Sequence, residues 1–377
     1  MKRWRLYFLL SMLLCLTSCA AQQEAAGLLW IRNLNDLEGL EGLFDYGLCA
    51  VEDTLVLDTP AGPASVQPRM TDTPAVCTPQ DEKTYRLLGG DGLYALDAQN
   101  AVYAVDLSAG SMAQRPVGRI AVSEDAAYLS KGVVNGARVI AMHLSSMGMS
   151  RAGSCVVYPL DGGEAMLAEE NGVVDLCAYR DGKALLLCQK ELSLELRILD
   201  PATGRQSVLA TLEGTEGAGL AYESATDSIY LARSSGIWRV DRNGKAKQVG
   251  YLSWMQMPGS ACAAVTSDGC YALYGRNNLL VYDLHAPEGN VAPLTVSCPQ
   301  FEQYCQGTLT AYQLANPQLN VSLTSYETSS GDTFLQHYYA DSAADIIGLE
   351  NLELLDDMIG KGYCADLSGS SVIASLV

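Results

Sequence analysis

The sequence predicts a mainly β chain in two parts, a long array of repeated β units and then a shorter segment in which strands and helices alternate. Three observations carry this. From about Leu28 to Pro293, short runs rich in Val, Ile, Leu and Tyr are separated by clusters of Asp, Gly, Asn and Pro, with hardly any helical spacing. Within that stretch one strand-and-turn element returns about every 40 residues. Beyond Pro293 the apolar spacing switches repeatedly between strand and helix, as a mostly parallel sheet requires.

The first residues have a different purpose. Lys2, Arg3 and Arg5 precede an apolar run from Leu6 to Leu16 that only Ser11 interrupts. A helix of about 11 residues spans roughly 16 Å, half of a hydrocarbon core of roughly 30 Å. The run therefore fits a secretory signal over residues 1–18 and not a transmembrane anchor. It ends in Leu16-Thr17-Ser18-Cys19, which resembles the lipobox of bacterial lipoproteins. The resemblance implies cleavage before Cys19, lipid on its thiol, and a place on the outer face of the cytoplasmic membrane or the periplasmic side of a membrane. The membrane lipid attached to Cys19 is the first expected partner. An ordinary signal peptide with a chance cysteine is the alternative. Residues 19–27 then form a tether of small and polar side chains.

The remaining length suits two domains. The formal charge is −19, and loss of Lys2, Arg3 and Arg5 takes it to about −22. Such a chain repels phosphate backbones, so no nucleic-acid partner is expected. The acidic residues are scattered, which describes a solvated surface. Of the 12 cysteines, Cys15 lies in the signal and Cys19 is the lipid site. The others are widely spread without a C-x-x-C pair. Cys155 and Cys188 sit in apolar runs and are expected as buried free thiols. Local disulfides Cys262–Cys270 and Cys298–Cys305 stay open. The three histidines, His143, His285 and His337, lack ligand-like spacing, so no metal site is expected.

The repeat is visible in Ala101–Asp106, Cys155–Asp161, Glu195–Asp200, Gly236–Asp241 and Leu280–Leu284. Each is an apolar strand with an Asp, followed in most copies by a Gly-containing turn. The carboxylate can accept a backbone N–H two residues on, while Gly takes the positive φ. The spacing is even from Asp161 through Asp200 and Asp241 to Asp283, and the step from Asp106 to Asp161 is longer, as an inserted loop would make it. About four strands per 40 residues is the signature of a β-propeller, here over 28–292 with six or seven blades. The rhythm resembles the WD40-like and quinoprotein-like propeller families, without a clean WD or Gly-His signature. A pair of β-sandwiches or another repetitive all-β fold is the alternative. Pro60, Pro63, Pro68, Pro74 and Pro79 predict a long exposed loop over Asp53–Lys83. Gly89–Gly92 reads as a turn before a strand.

In residues 293–377 the expected strands are Leu294–Cys298, Leu319–Tyr326 and Asp345–Leu349. The expected helices are Phe301–Asn316, closed by Pro317, then Asp332–Ala340 and Leu352–Lys361. Leu314–Val321 with Asn316-Pro317, Ala344–Ile347, and Asp356–Leu367 follow one another as in the extracellular solute-binding proteins of ABC-type importers. The segment from Leu294 to Ser368 resembles the start of that family, with Ala344 where the family has Pro. The resemblance implies a partial α/β solute-binding lobe, a sugar or oligosaccharide ligand, and an importer permease as partner. It also implies contacts from the carboxyl ends of the strands: Gln300 beside Pro299, Tyr326 and Glu327, and Glu350 and Asn351. Tyr326 would stack on a sugar face or pack on the sheet. Only the first half of one lobe fits in the chain, so the sequence is expected to be truncated.

No G-x-S-x-G, H-E-x-x-H or phosphate-binding loop occurs. Asp356 and Asp357 are adjacent on a predicted helix and point apart. Asn320 carries a glycosylation tripeptide within a predicted strand, an unsuitable site in an exported bacterial protein. The expectation is a non-enzyme without cofactor: the solute-binding component of an ABC-type importer for a carbohydrate-like ligand. The alternative is a propeller scaffold for protein or cell-wall contacts in the envelope. A propeller enzyme such as a lyase is the third possibility, which the missing motifs disfavour.

Overall fold

The computed structural model describes residues 25–33, 47–58, 63–69, 75–76, 78–79, 85–108, 111–122, 128–144, 152–215, 217–233, 236–250, 262–275, 278–286, 294–299, 321–326, 346–347 and 360. The chain separates into two compact units, one reaching Val291 with Asn316–Asn320, the other Ala292–Ala315 with Val321–Val377.

In the first unit, strand β1 (Ala25–Asn33) pairs far along the chain. The next four strands make an antiparallel sheet in sequence order: β2 (Leu48–Val51), β3 (Thr54–Leu57), β4 (Ala64–Val66) and β5 (Ala75–Val76). This is blade 1. After β6 (Thr78–Pro79), blade 2 follows as β7 (Tyr85–Gly90), β8 (Tyr94–Asp97), β9 (Ala101–Ser108) and β10 (Ser111–Arg119), with β6 lying parallel to the start of β10. Blade 3 is β11 (Tyr128–Asn135), β12 (Arg138–Leu144), β13 (Gly153–Pro159) and the first part of β14 (Met166–Tyr179). Around Gly172, β14 changes sheet, and its second part opens blade 4 with β15 (Lys183–Gln189), β16 (Ser193–Leu199) and β17 (Gln206–Glu213). Blade 5 is β18 (Ala218–Glu223), β19 (Ser228–Arg233), β20 (Gly236–Val240) and β21 (Ala246–Gly250). Blade 6 has β22 (Cys262–Val265), β23 (Cys270–Gly275) and β24 (Asn278–Ala286) from the local chain, and β1 as its fourth strand.

That last pairing closes the ring. β1 runs antiparallel to β24, from Ala25 opposite Ala286 to Asn33 opposite Asn278. Without it β24 would present an unpaired edge. The inner strands β2, β7, β11, β14, β18 and β22 neighbour one another in that cyclic order, and β22 returns to β2. This is a β-propeller of six blades among the described residues.

The core explains why so many strands read as unbroken apolar runs. Each blade is buried on both faces, so both sets of alternating side chains are apolar. In β15, Ala184, Leu186 and Cys188 pack towards blade 3 on Ile140, Cys155 and Val157. Leu185 and Leu187 point the other way, onto Leu220, Ile229, Leu231 and Val240 of blade 5. Six such clusters fill the six inter-blade gaps. The one that matters most for closure joins Leu55, Leu57 and Val66 of blade 1 to Ala272, Tyr274, Leu279 and Val281 of blade 6. Each fully buried Leu or Val contributes about 1.5–3 kcal/mol relative to exposure.

The aspartate turns take the expected form. Asp161, Asp200 and Asp241 follow the third strands of blades 3, 4 and 5, and each Oδ1 accepts the N–H two residues on, from Gly163 (2.9 Å), Ala202 (2.9 Å) and Asn243 (2.8 Å). Gly162, Gly204 and Gly244 have φ of 79°, 71° and 79°. Asp106 differs. Strand β9 continues through it to Ser108, so it faces Ala113 inside the ladder.

Two further expectations need correction. Asp53–Lys83 is not one exposed loop, because it supplies β3, β4, β5 and β6. Pro63 and Pro68 flank β4 and punctuate short strands without entering them, while Leu55, Val56, Leu57, Ala64 and Val66 are buried. Cys262 and Cys270 are both free thiols and do not form a local disulfide. Cys155 and Cys188 are free and fully buried, as expected.

In the second unit, β25 (Leu294–Pro299), β26 (Val321–Tyr326) and β27 (Ile346–Ile347) form a parallel sheet with β25 in the centre. The three expected helices lie outside the described residues except for Gly360, whose backbone is helical. The fold shown is therefore mainly β, and a solute-binding lobe is not established by it.

Candidate functional site

The six inner strands converge on a central channel. Their convergence demands small side chains, and Gly89, Gly132, Ala178, Ala221, Ala263 and Ala264 line it. Blades 2 and 3 come closest: Val133 and Val134 pair in parallel with Gly89 and Gly90. Gly90 has φ of 147°, and a Cβ there would lie 1.8 Å from the Val134 carbonyl oxygen. No other residue type fits that position.

One ion pair stands in this apolar surrounding. Lys131 on β11 places Nζ 2.5 Å from Asp175 Oδ1 on β14, with the two side chains 14% and 4% exposed. The same carboxylate accepts the Leu176 N–H (2.8 Å) and, through Oδ2, the Leu220 N–H of β18 (2.7 Å). Asp175 thus ties the inner strands of blades 3, 4 and 5. Burial opposes the charge on Lys131, and the Asp175 carboxylate more than offsets it, so the ammonium titrates above its usual range. Cys49 also lines the channel, and burial pushes its thiol up to about 12. It is an inert thiol and not a nucleophile.

At one end the channel widens into a cavity of about 430 Å³, within the range of small-molecule sites. Its wall consists of the turns that link first and second strands in each blade: Glu52, Asp91, Asn135, Asp181, Ser224 and Ser267 contribute, one from each turn. On one side Arg180 lies over the Tyr179 ring, 5.1 Å from its centroid. Tyr222 meets Tyr179 edge-on at 4.7 Å. Asp227 holds both partners in place, accepting from Arg180 Nη1 and from the Tyr222 hydroxyl at 3.0 Å. Deeper, Glu223 is 2% exposed. It accepts from Thr226 Oγ1 and from Tyr230 OH (3.3 Å), and its Oε1 lies 2.7 Å from His285 Nε2. The mouth therefore combines an aromatic surface and a fixed guanidinium with several carboxylate acceptors and hydroxyls, a set suited to a polar ligand or a polar segment of a partner. Among the described residues, no group of three His, Cys, Asp or Glu is arranged to hold a metal ion.

No protein-family description matches this sequence. No curated protein matches it either. Solved structures that are similar to it are propellers. They include a gluconolactonase from Xanthomonas campestris (13% identity, TM-score 0.44, 70% of this chain and 92% of that one). The Neurospora crassa Pan2 WD40 domain has 12% identity and a TM-score of 0.40 over 69% and 95% of the two chains. An oligogalacturonate lyase in complex with manganese has 12% identity and a TM-score of 0.39 over 61% and 73%. The likeness is one of fold. It also corrects the expectation of a non-enzyme: a lactonase and a lyase are among these propellers, so the lack of familiar sequence motifs gives no ground for excluding catalysis.

Cys19, Gln300, Glu327, Glu350 and Asn351 are outside the described residues. Tyr326 ends β26 and is the register partner of Pro299 at the end of β25, so the carboxyl ends of these parallel strands lie side by side. Sequence reasoning missed Lys131, Asp175 and the Tyr179–Arg180–Tyr222 group. A signal existed for the first two: each is a charge inside an apolar strand run, Tyr128–Asn135 and Val173–Tyr179. A charge in such a run is rarely buried without a partner.

Proposed function

We propose that this chain is a lipid-anchored envelope protein whose propeller is a rigid recognition module, with the channel mouth as its contact surface. The observation that carries this is the closed ring of six blades, which fixes Glu52, Asp91, Tyr179, Arg180 and Tyr222 on one rim although they come from four different blades. Ordered side chains on a rigid frame lose little entropy when a partner binds. The Leu16–Cys19 motif supports export and lipidation, which places that rim outside the cytoplasm. A photo-cross-linking residue in place of Ser267 in the full chain, expressed in a lipoprotein-processing bacterium, tests the module. A discrete cross-linked product that is lost with Arg180→Glu supports it. No product, or one insensitive to Arg180→Glu, refutes the contact surface.

A second reading has its own support. The parallel order of β26, β25 and β27, with the first strand central, is an order in which an open doubly wound α/β sheet can begin, and is compatible with a solute-binding lobe. With the family resemblance of Leu294–Ser368, it favours a role as the carbohydrate-binding component of an ABC-type importer, acting beside a permease. Titration calorimetry of the full chain with a panel of oligosaccharides tests this. Binding that Tyr326→Ala abolishes is expected, and no heat with any sugar contradicts it.

A further inference from the structure

Strand directions fix which face of the propeller carries the N-terminal tether. In every blade the first strand runs towards the turn that borders the 430 Å³ cavity, the second runs away from it, and the third returns. In blade 6 the third strand, β24, therefore ends at Ala286 on the cavity face. Ala25, the first residue of β1, is the register partner of Ala286. The chain thus enters the propeller at the cavity face, on the outer edge of blade 6.

Cys19 is six residues before Ala25. Fully extended, that length reaches roughly 20 Å. This is no more than the thickness of the disc, since a blade strand of about six residues spans roughly 20 Å. A lipid on Cys19 cannot pass round the rim to the other face and leave the disc lying flat. We infer that the propeller is held with its cavity face towards the bilayer, so that the channel mouth opens into the gap between disc and membrane. This rests on the lipoprotein reading proposed above.

Exposed large apolar side chains occur towards both faces among the described residues, Leu192 (84%) on the opposite one, so the tether alone carries the orientation. The exposed side chains Leu167 (58%) and Val208 (54%) lie in the cavity-side halves of β14 and β17. These are the outermost strands of blades 3 and 4, across the ring from the tether. The carboxylates round the mouth oppose close approach to anionic headgroups, but their field is screened beyond about 8 Å at physiological ionic strength. The tether is long enough for the mouth to stand off at that distance, and a ligand reaching it must enter from the side or from the membrane surface.

The test uses the full lipidated chain in vesicles of phosphatidylglycerol and phosphatidylethanolamine that carry an acceptor dye on their headgroups. A fluorescent amino acid replaces either Ser224, in a cavity-face turn, or Leu192, which is 84% exposed on the opposite face between β15 and β16. Greater energy transfer from position 224 than from 192, by about twofold or more, is the expected result. Equal transfer, or more from 192, overturns the orientation while the protein still floats with the vesicles. Fractionation of the wild type and Cys19→Ala keeps the two failures apart. If wild-type protein carries no fatty acid and does not float, the anchoring reading fails and the orientation falls with it.

Discussion

Lys131 Nζ lies 2.5 Å from Asp175 Oδ1 at the hub of the propeller, and the pair is almost wholly buried. Truncating one partner leaves the other as an uncompensated buried charge, which costs about 3–5 kcal/mol. Asp175→Ala also orphans the Leu220 N–H, so it is expected to cost more than Lys131→Met. Urea unfolding of both single variants and the double variant measures this. The double variant should recover part of the loss, because no unpaired charge remains.

Arg69 fastens the ring at its closure. From blade 1 it donates to Asp283 (2.9 Å) and Asp268 (2.7 Å) of blade 6. Burial alone would raise both carboxyl pKa values, but hydrogen bonds from Arg69, with Thr266 on Asp268 and the His285 N–H on Asp283, hold them below the usual range. Their contribution is therefore present above about pH 4 and is lost as the pH falls below it. Arg69 is 44% exposed, so screening limits the effect to about 1 kcal/mol. Arg69→Ala should lower the urea midpoint at pH 7 and have a smaller effect at pH 3.

Asp58 acts in the opposite sense. It is 8% exposed, and burial raises its carboxyl to about 6 although the Leu87 N–H (3.1 Å) and the charge of Arg86 pull it down. The folded state then binds its proton more tightly than the unfolded chain. This contribution is complete below about pH 4 and falls as the pH rises through 6, by at most about 3 kcal/mol. Asp58→Asn keeps an acceptor for the Leu87 N–H and should flatten the stability profile between pH 4 and 7.

Gly90 has no room for a Cβ. Gly90→Ala is expected to cost roughly 3 kcal/mol or more, because the backbone of Val134 must move. Thermal unfolding checks it. Gly136→Ala, where nothing lies within 4 Å of the added carbon, is the control and carries only the strain of its positive φ.

Cys155 and Cys188 are structural thiols, fully buried in the core between blades 3 and 4. Burial pushes Cys155 up to about 12 and Cys188 up to about 11. At pH 8 iodoacetamide should leave both unmodified in the folded protein and alkylate both in 6 M guanidinium. Mass spectrometry of the peptides reads the difference.

The propeller was legible where one strand carries its own signature. Cys155–Asp161, Glu195–Asp200 and Gly236–Asp241 are third strands followed by the same aspartate turn, and that rhythm set the fold class. Blade 1 was hidden because Pro63 and Pro68 stand so close to β4 that the stretch reads as loop. The blade count stayed open because β1 completes a sheet begun more than two hundred residues later, and no local pattern records such a pairing. The mouth was illegible for the same reason. Tyr179, Arg180, Tyr222 and Asp227 meet only because neighbouring blades bring two turns together.

The ring closed by β1 is the central claim, and hydrogen exchange across β24 tests it most directly. In an antiparallel sheet alternate amides of β24 point to β23 and to β1. If β1 completes blade 6, both sets between Asn278 and Asp283 exchange slowly and at similar rates. Fast exchange of the outward-pointing set alone, as on an open edge, would contradict the closure.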